Sequence, residues 1–193
     1  MCGRYYVDDE TAREIEKIIR IADEKVRNMT TGDIHPTDMA PILMTDDHTL
    51  CCHMQKWGLP GFDGKQVIFN ARSESALEKP TFREAVAKRR IVVPAAGFYE
   101  WNSQKEKSIF YRKNHPVLFM AGLYNPYAEG NRFVILTTAA NPSMEPVHDR
   151  MPLLLEEEEI LPWMLDLDAA KKILLKVPHL LERKTDFEQL SLF

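Results

Sequence analysis

The sequence predicts an α+β domain, strand-rich, with a largely antiparallel, barrel-like or sandwiched sheet and a few peripheral helices. Two observations carry that expectation. From Met39 onward, short apolar runs broken by turn residues recur at 39–44, 50–57, 67–70, 91–94, 97–101, 108–112, 117–123 and 132–138. The chain has 193 residues, 45% of them hydrophobic, which is enough for one sizeable core and short for two.

Residues 3–7 read as a short strand. Thr11-x-x-Glu14 is a capping-box pattern opening a helix with Ile15, Ile18, Ile19, Ala22 and Val26 on one stripe. After the strand series begins, a second such pattern, Thr81-x-x-Glu84, starts a short helix ending near Arg89. Asp166 to Lys176 makes a third, with Leu167, Ala170, Ile173 and Leu174 inward. No internal repeat or low-complexity linker divides the chain, so residues 1–188 are expected to form one domain and 189–193 a tail.

The formal net charge of -4 argues against a protein that coats nucleic acid by bulk electrostatics. Any such site must be a local basic patch. Its candidates are Arg4, Arg72, Arg83, the run Lys88-Arg89-Arg90, Arg112, Lys113 and Arg150, with the acidic block Glu156 to Glu159 lying elsewhere. Two of the three cysteines are adjacent, Cys51-Cys52, and would point to opposite faces of a strand, so no disulfide framework is expected. The N-terminus lacks the charged region and apolar core of a signal peptide, and no 18-residue apolar run spans a bilayer. A reducing cytoplasmic setting is expected, in which Cys2 stays a free thiol. His48, Cys51, Cys52 and His53 sit too close on one strand for four metal ligands to converge, so neither a metal nor another cofactor is expected.

Position 2 carries distinctive chemistry. Loss of Met1 would leave an α-amine (ordinary pKa about 7.7–8.0) and a thiol (about 8.5) on the same residue, a 1,2-aminothiol. The amine can attack an aldehyde to give a Schiff base, and the thiol can then close a five-membered thiazolidine ring. Four polar segments interrupt apolar strands: Asn70-Ala71-Arg72-Ser73-Glu74, Pro94 to Trp101, Thr137 to Asn141, and His148-Asp149-Arg150-Met151-Pro152. Buried polar groups need partners or a purpose. Glu100, between two aromatics, is placed for general acid or base work.

Met1-Cys2-Gly3-Arg4-Tyr5, Trp57-Gly58-Leu59, Asn70-Ala71-Arg72-Ser73-Glu74, Gly97-Phe98-Tyr99-Glu100-Trp101 and His148-Asp149-Arg150-Met151-Pro152 together resemble the SOS response-associated peptidase family, over almost the whole chain. The resemblance implies a sensor of abasic sites that removes its own initiator Met, then cross-links Cys2 to the ring-opened aldehyde of an abasic site in single-stranded DNA. Cys2 would be the nucleophile, Asn70 would hold the N-terminal residue, Glu100 would assist proton transfers, and His148 would act on the sugar oxygen as general acid or base. Arg4, Arg72 and Arg150 would contact phosphates, and Trp57 would stack or wedge against a base. Two departures stand out: Asp33-Ile34-His35-Pro36-Thr37 where an Asn is expected nearby, and Arg90-Ile91 in place of an Arg-Cys pair. Two rival readings stay open, a thiol hydrolase using the N-terminal cysteine on amides and a passive single-strand binding module.

The tail Gln189-Leu190-Ser191-Leu192-Phe193 resembles the short peptide by which bacterial repair proteins dock on the sliding clamp. In an extended segment Leu190, Leu192 and Phe193 would fill apolar pockets while Gln189 makes hydrogen bonds. The expectation is a bacterial monomer, associated with the nucleoid when engaged on DNA.

Overall fold

The computed structural model describes residues 3–19, 31–61 and 64–185. Cys2, the Ala22 and Val26 positions of the first expected helix and the 189–193 tail lie outside the described residues. The strands are β1 (Tyr5–Val7), β2 (Gly32–Ile34), β3 (Met39–Asp46), β4 (Thr49–Trp57), β5 (Leu59–Pro60), β6 (Val67–Ile68), β7 (Asn70–Arg72) and β8 (Arg90–Ala95). They continue with β9 (Gly97–Trp101), β10 (Lys107–Tyr111), β11 (Leu118–Asn125), β12 (Arg132–Ala139), β13 (Arg150–Pro152), β14 (Leu154–Leu155) and β15 (Glu182–Thr185). The helices are α1 (Asp9–Ile19), α2 (Pro80–Lys88), α3 (Ile160–Leu165) and α4 (Leu167–Ile173).

Strand β12 organises the larger sheet. It pairs antiparallel with β11 and β13 and parallel with β4 and β7. Because β4, β3, β8 and β11 also pair in succession, the path returns to β12 and closes a five-stranded barrel. Closure removes the open edges that a flat sheet would present. A second sheet runs β15-β10-β9-β1-β2. Tyr5 on β1 joins the two, its ring 5.2 Å from that of Trp57.

Period-2 burial explains why the apolar runs became strands. On β9, Phe98 and Glu100 face inward while Tyr99 and Trp101 stay half-exposed. Strand β8 is buried along its whole length, which fits its place between β3 and β11 with helices outside.

The helix boundaries differ from the capping-box expectation. In α1 the cap is Asp8, whose carboxylate accepts from the Thr11 N–H and hydroxyl, both at 2.8 Å. Helix α2 begins with Pro80 in the first turn and has no side-chain cap, since proline needs no partner for a missing N–H. The third expected helix exists as α4, capped by Asp166, and α3 precedes it.

Arg90 corrects the reading of Lys88-Arg89-Arg90 as a DNA patch. It is 7% exposed, and its guanidinium donates to the carbonyls of Val86 (2.6 Å), Ala87 (2.8 Å), Met164 (2.7 Å) and Trp163. These lie in the C-terminal turns of α2 and α3, where carbonyls lack helical partners and the helix dipole favours a cation. Arg89 is also committed, to Glu84, the Tyr124 carbonyl and Asn125. The acidic block is likewise tied down locally, Glu156 to Arg112 and His179 and Glu159 to Lys176.

Candidate functional site

Strand β7 sets Asn70 and Arg72 on one face with Ala71 buried between them, and pairs them with Ile135 and Thr137 of β12. One turn further, Glu74 meets Arg150, which starts β13 opposite Ala139 of β12. Its guanidinium forks onto the Glu74 carboxylate at 2.6 and 2.9 Å and also reaches the Thr137 carbonyl at 2.6 Å. The hydrogen bonds from Arg150 hold the Glu74 carboxyl below its usual range. Arg150 is thus committed to Glu74 with its side chain 12% exposed, whereas Arg72 is exposed.

His148 precedes this strand and is half-buried. Its Nδ1 accepts from the Arg150 N–H at 3.0 Å and lies 2.8 Å from the Asp149 carboxylate. The two contacts select opposite forms: the backbone N–H needs a bare Nδ1, and the carboxylate favours a protonated one. The Asp149 side chain is 85% exposed, so its contact with His148 is screened by solvent.

Glu100 belongs to the second sheet. It is 4% exposed, lies opposite Ser108 on β10, and accepts from the Trp101 N–H at 3.3 Å. The neighbouring Tyr99 N–H donates to the Arg4 carbonyl at 2.9 Å, so the strand bearing Glu100 runs beside the start of the chain.

Trp57 does not reach a base. It is fully buried, with rings of Phe69 (edge-on, 5.8 Å) and Phe133 (stacked, 6.4 Å) against it, and its indole N–H donates to the Phe69 carbonyl at 2.8 Å. The expectation that it stacks on DNA is corrected: it is a core residue that pins the segment leading into β7 to the barrel. Gly58 follows at φ +110, and a side chain there would strike Val67 at 2.3 Å.

Sequence reasoning missed a surface of aromatic rings and cations on the outer face of the second sheet. Tyr6 and Tyr99 lie 5.6 Å apart and Tyr99 and Trp101 6.4 Å. The Arg4 guanidinium sits 5.3 Å from the Trp101 ring and 5.8 Å from that of Tyr99, and Lys107 is 5.7 Å from Tyr99. Gly97 permits this, since a Cβ there would meet the Tyr6 ring at 2.7 Å. Asp33 accepts from the Tyr99 hydroxyl at 2.8 Å and lies 3.6 Å from Arg4. Burial first, then Asp33, pushes the Tyr99 phenol up to about 12. The signal was available: Glu100 turning inward forces Tyr99 and Trp101 outward.

The fold is a closed barrel with a second sheet that carries the first strand, and the polar motif residues lie on or beside β7, β9 and β13. The chain belongs to the SOS response associated peptidase (SRAP) family, which it matches over residues 1–191. It is 32% identical over 184 residues to the abasic site processing protein YoqW of Bacillus subtilis, covering 85% of this chain and 80% of that one. It is 28% identical over 179 residues to the abasic site processing protein YedK of Escherichia coli, covering 85% and 79%. A crystal structure of a Bacteroides thetaiotaomicron protein shares the fold, with TM-score 0.81, 23% identity and coverage of 95% and 91%. Among the described residues no helix is long and apolar enough to cross a membrane.

Proposed function

We propose that this chain processes abasic sites in single-stranded DNA by covalent capture on Cys2, after hydrolysis releases Met1. The observation that carries the reading is the register of β1 on β9, which sets Arg4 against Tyr99, next to the buried carboxyl of Glu100. Chain connectivity limits Cys2 to within about 7 Å of Arg4. The names of the relatives support the substrate class.

In this reading the Cys2 α-amine adds to the C1′ aldehyde, and the carbinolamine loses one water to give an imine. The thiol then adds to the imine carbon, its proton passing to nitrogen, so that one water leaves in all. Glu100 and His148 deliver and accept the protons of these steps, and Asn70 holds the N-terminal residue. Arg72 and Arg4 meet the flanking phosphates, and Arg150 joins them when Glu74 is displaced. Incubation of the chain with a single-stranded oligonucleotide carrying one abasic site should give an adduct whose intact mass equals demethionylated protein plus oligonucleotide less one water. Amide cleavage by Cys2 with no adduct would instead favour the thiol-hydrolase reading.

With Trp57 buried, stacking falls to Trp101 and Tyr99, beside Arg4. Trp101→Ala should weaken single-strand binding by about 1–2 kcal/mol, roughly 5–30-fold, with little change in melting temperature. Fluorescence anisotropy with an undamaged oligonucleotide measures this; unchanged affinity would move the DNA path off this face.

The chain then acts as one domain over residues 1–188, working as a monomer in the bacterial cytoplasm, and the tail from Gln189 to Phe193 docks it on the sliding clamp at replicating DNA. Removing residues 189–193 should abolish clamp pull-down and spare adduct formation; retained pull-down would discard the docking role.

A further inference from the structure

The hairpin of β3 and β4 carries a cluster outside the site described above. Its two-residue turn, Asp47-His48, has positive φ at both positions (47 and 64), the geometry that fixes a tight hairpin register. That register places Asp46 opposite Thr49, Met44 opposite Cys51 and Ile42 opposite His53. Cys51 and His53, two apart, therefore share a face with Asp46 and Met44, while Cys52 points the other way and is buried at 1% exposure.

On that face three potential ligand atoms converge. The carboxylate of Asp46, the thiol of Cys51 and a ring nitrogen of His53 all lie within 4.8 Å of one another, with His53 Nε2 2.9 Å from Asp46 Oδ2. Tetrahedral zinc with ligand bonds of about 2.0–2.3 Å sets its donors roughly 3.3–3.8 Å apart. The 2.9 Å pair and the 4.8 Å limit bracket that range. Cys51 is half-buried, and the His53 and Asp46 side chains are 32% and 55% exposed, so an ion can enter from solvent. A search of the sequence for four ligands on one strand overlooks this trio, because its carboxylate comes from the partner strand.

We infer that Asp46, Cys51 and His53 form a binding site for a zinc-class divalent ion, with the fourth position open to water. Sulfur and imidazole donors select zinc or cobalt over calcium and magnesium. Binding releases the Cys51 thiol proton to solvent, and it breaks the hydrogen bonds from Cys51 to the Thr49 carbonyl and between His53 and Asp46 as the side chains become ligands. The trio sits toward the hairpin end of β4, with Cys51 about 20 Å along the strand from Trp57. None of its members belongs to β7, β9 or β13, so it is separate from the residues proposed for DNA capture.

The test is titration of the full-length chain carrying Cys2→Ala, which removes the competing aminothiol, with cobalt(II) followed by displacement with zinc. The expected result is one cobalt per chain with a near-ultraviolet thiolate charge-transfer band, and binding at least tenfold weaker in both Cys51→Ser and His53→Ala. His48→Asn, which keeps the positive φ of the turn, should leave binding unchanged. Absence of the thiolate band, or binding unchanged in Cys51→Ser or His53→Ala while both variants melt like the parent, would overturn the assignment.

Discussion

A Glu100→Gln variant is expected to form the proposed abasic-site adduct about 10²–10⁴-fold more slowly than the parent chain at neutral pH. Glutamine keeps the shape of the side chain and can still accept from the Trp101 N–H, but it cannot carry a proton to or from the reacting atoms. Glu100 is 4% exposed among β9 and β10 side chains, so bulk water is a poor substitute for it. Each stage of the proposed chemistry needs such a proton: release of the Met1 amine, loss of water from the carbinolamine, and ring closure. Quenched time points on a denaturing gel measure the rate, with the protein first checked for loss of Met1. A rate within about threefold of the parent would remove Glu100 from the proton path.

The second large effect concerns stability. Arg90→Met should cost about 2–4 kcal/mol, because four carbonyls at the ends of α2 and α3 lose their donor in a buried setting. Methionine recovers part of the packing and relieves the cost of burying a cation, a burial that already pulls the guanidinium below its usual range. For a chain of 193 residues that corresponds to a melting temperature lower by roughly 5–15 °C. Thermal denaturation reads it directly, and a shift under about 2 °C would mean that the helix ends find other donors.

Arg90 also shows where sequence reading stops. A run of three cations looks like a nucleic-acid patch when only neighbours in sequence are visible. The carbonyls that claim Arg90 come partly from residues 163 and 164, more than 70 positions away. The reading of Trp57 failed for a related reason. An aromatic residue in a polar motif invites a binding role, yet its surroundings are assembled from β1, β12 and Phe69, three segments that meet only in the folded chain. The strands themselves were legible, because alternation and continuous apolar runs are local signals: β3, β4 and β8 through β12 all fall within or across the runs read from the sequence. Closure of the barrel was not, since it depends on β12 pairing with both β11 and β4. In the candidate site, Asn70, Arg72, Glu74, His148 and Arg150 could be named from motifs, but the Glu74–Arg150 fork that constrains Arg150 is a product of how β7 and β13 both pair with β12.

The central claim is that Cys2 captures an abasic site covalently. It is tested most directly by denaturing electrophoresis of the parent chain and Cys2→Ala with a single-stranded oligonucleotide bearing one abasic site, beside an undamaged strand. The account predicts a slow-migrating band that forms without added reductant, only with the abasic strand, and only when Cys2 is present. A band of equal strength from Cys2→Ala, or none from parent protein shown by mass spectrometry to lack Met1, would contradict it.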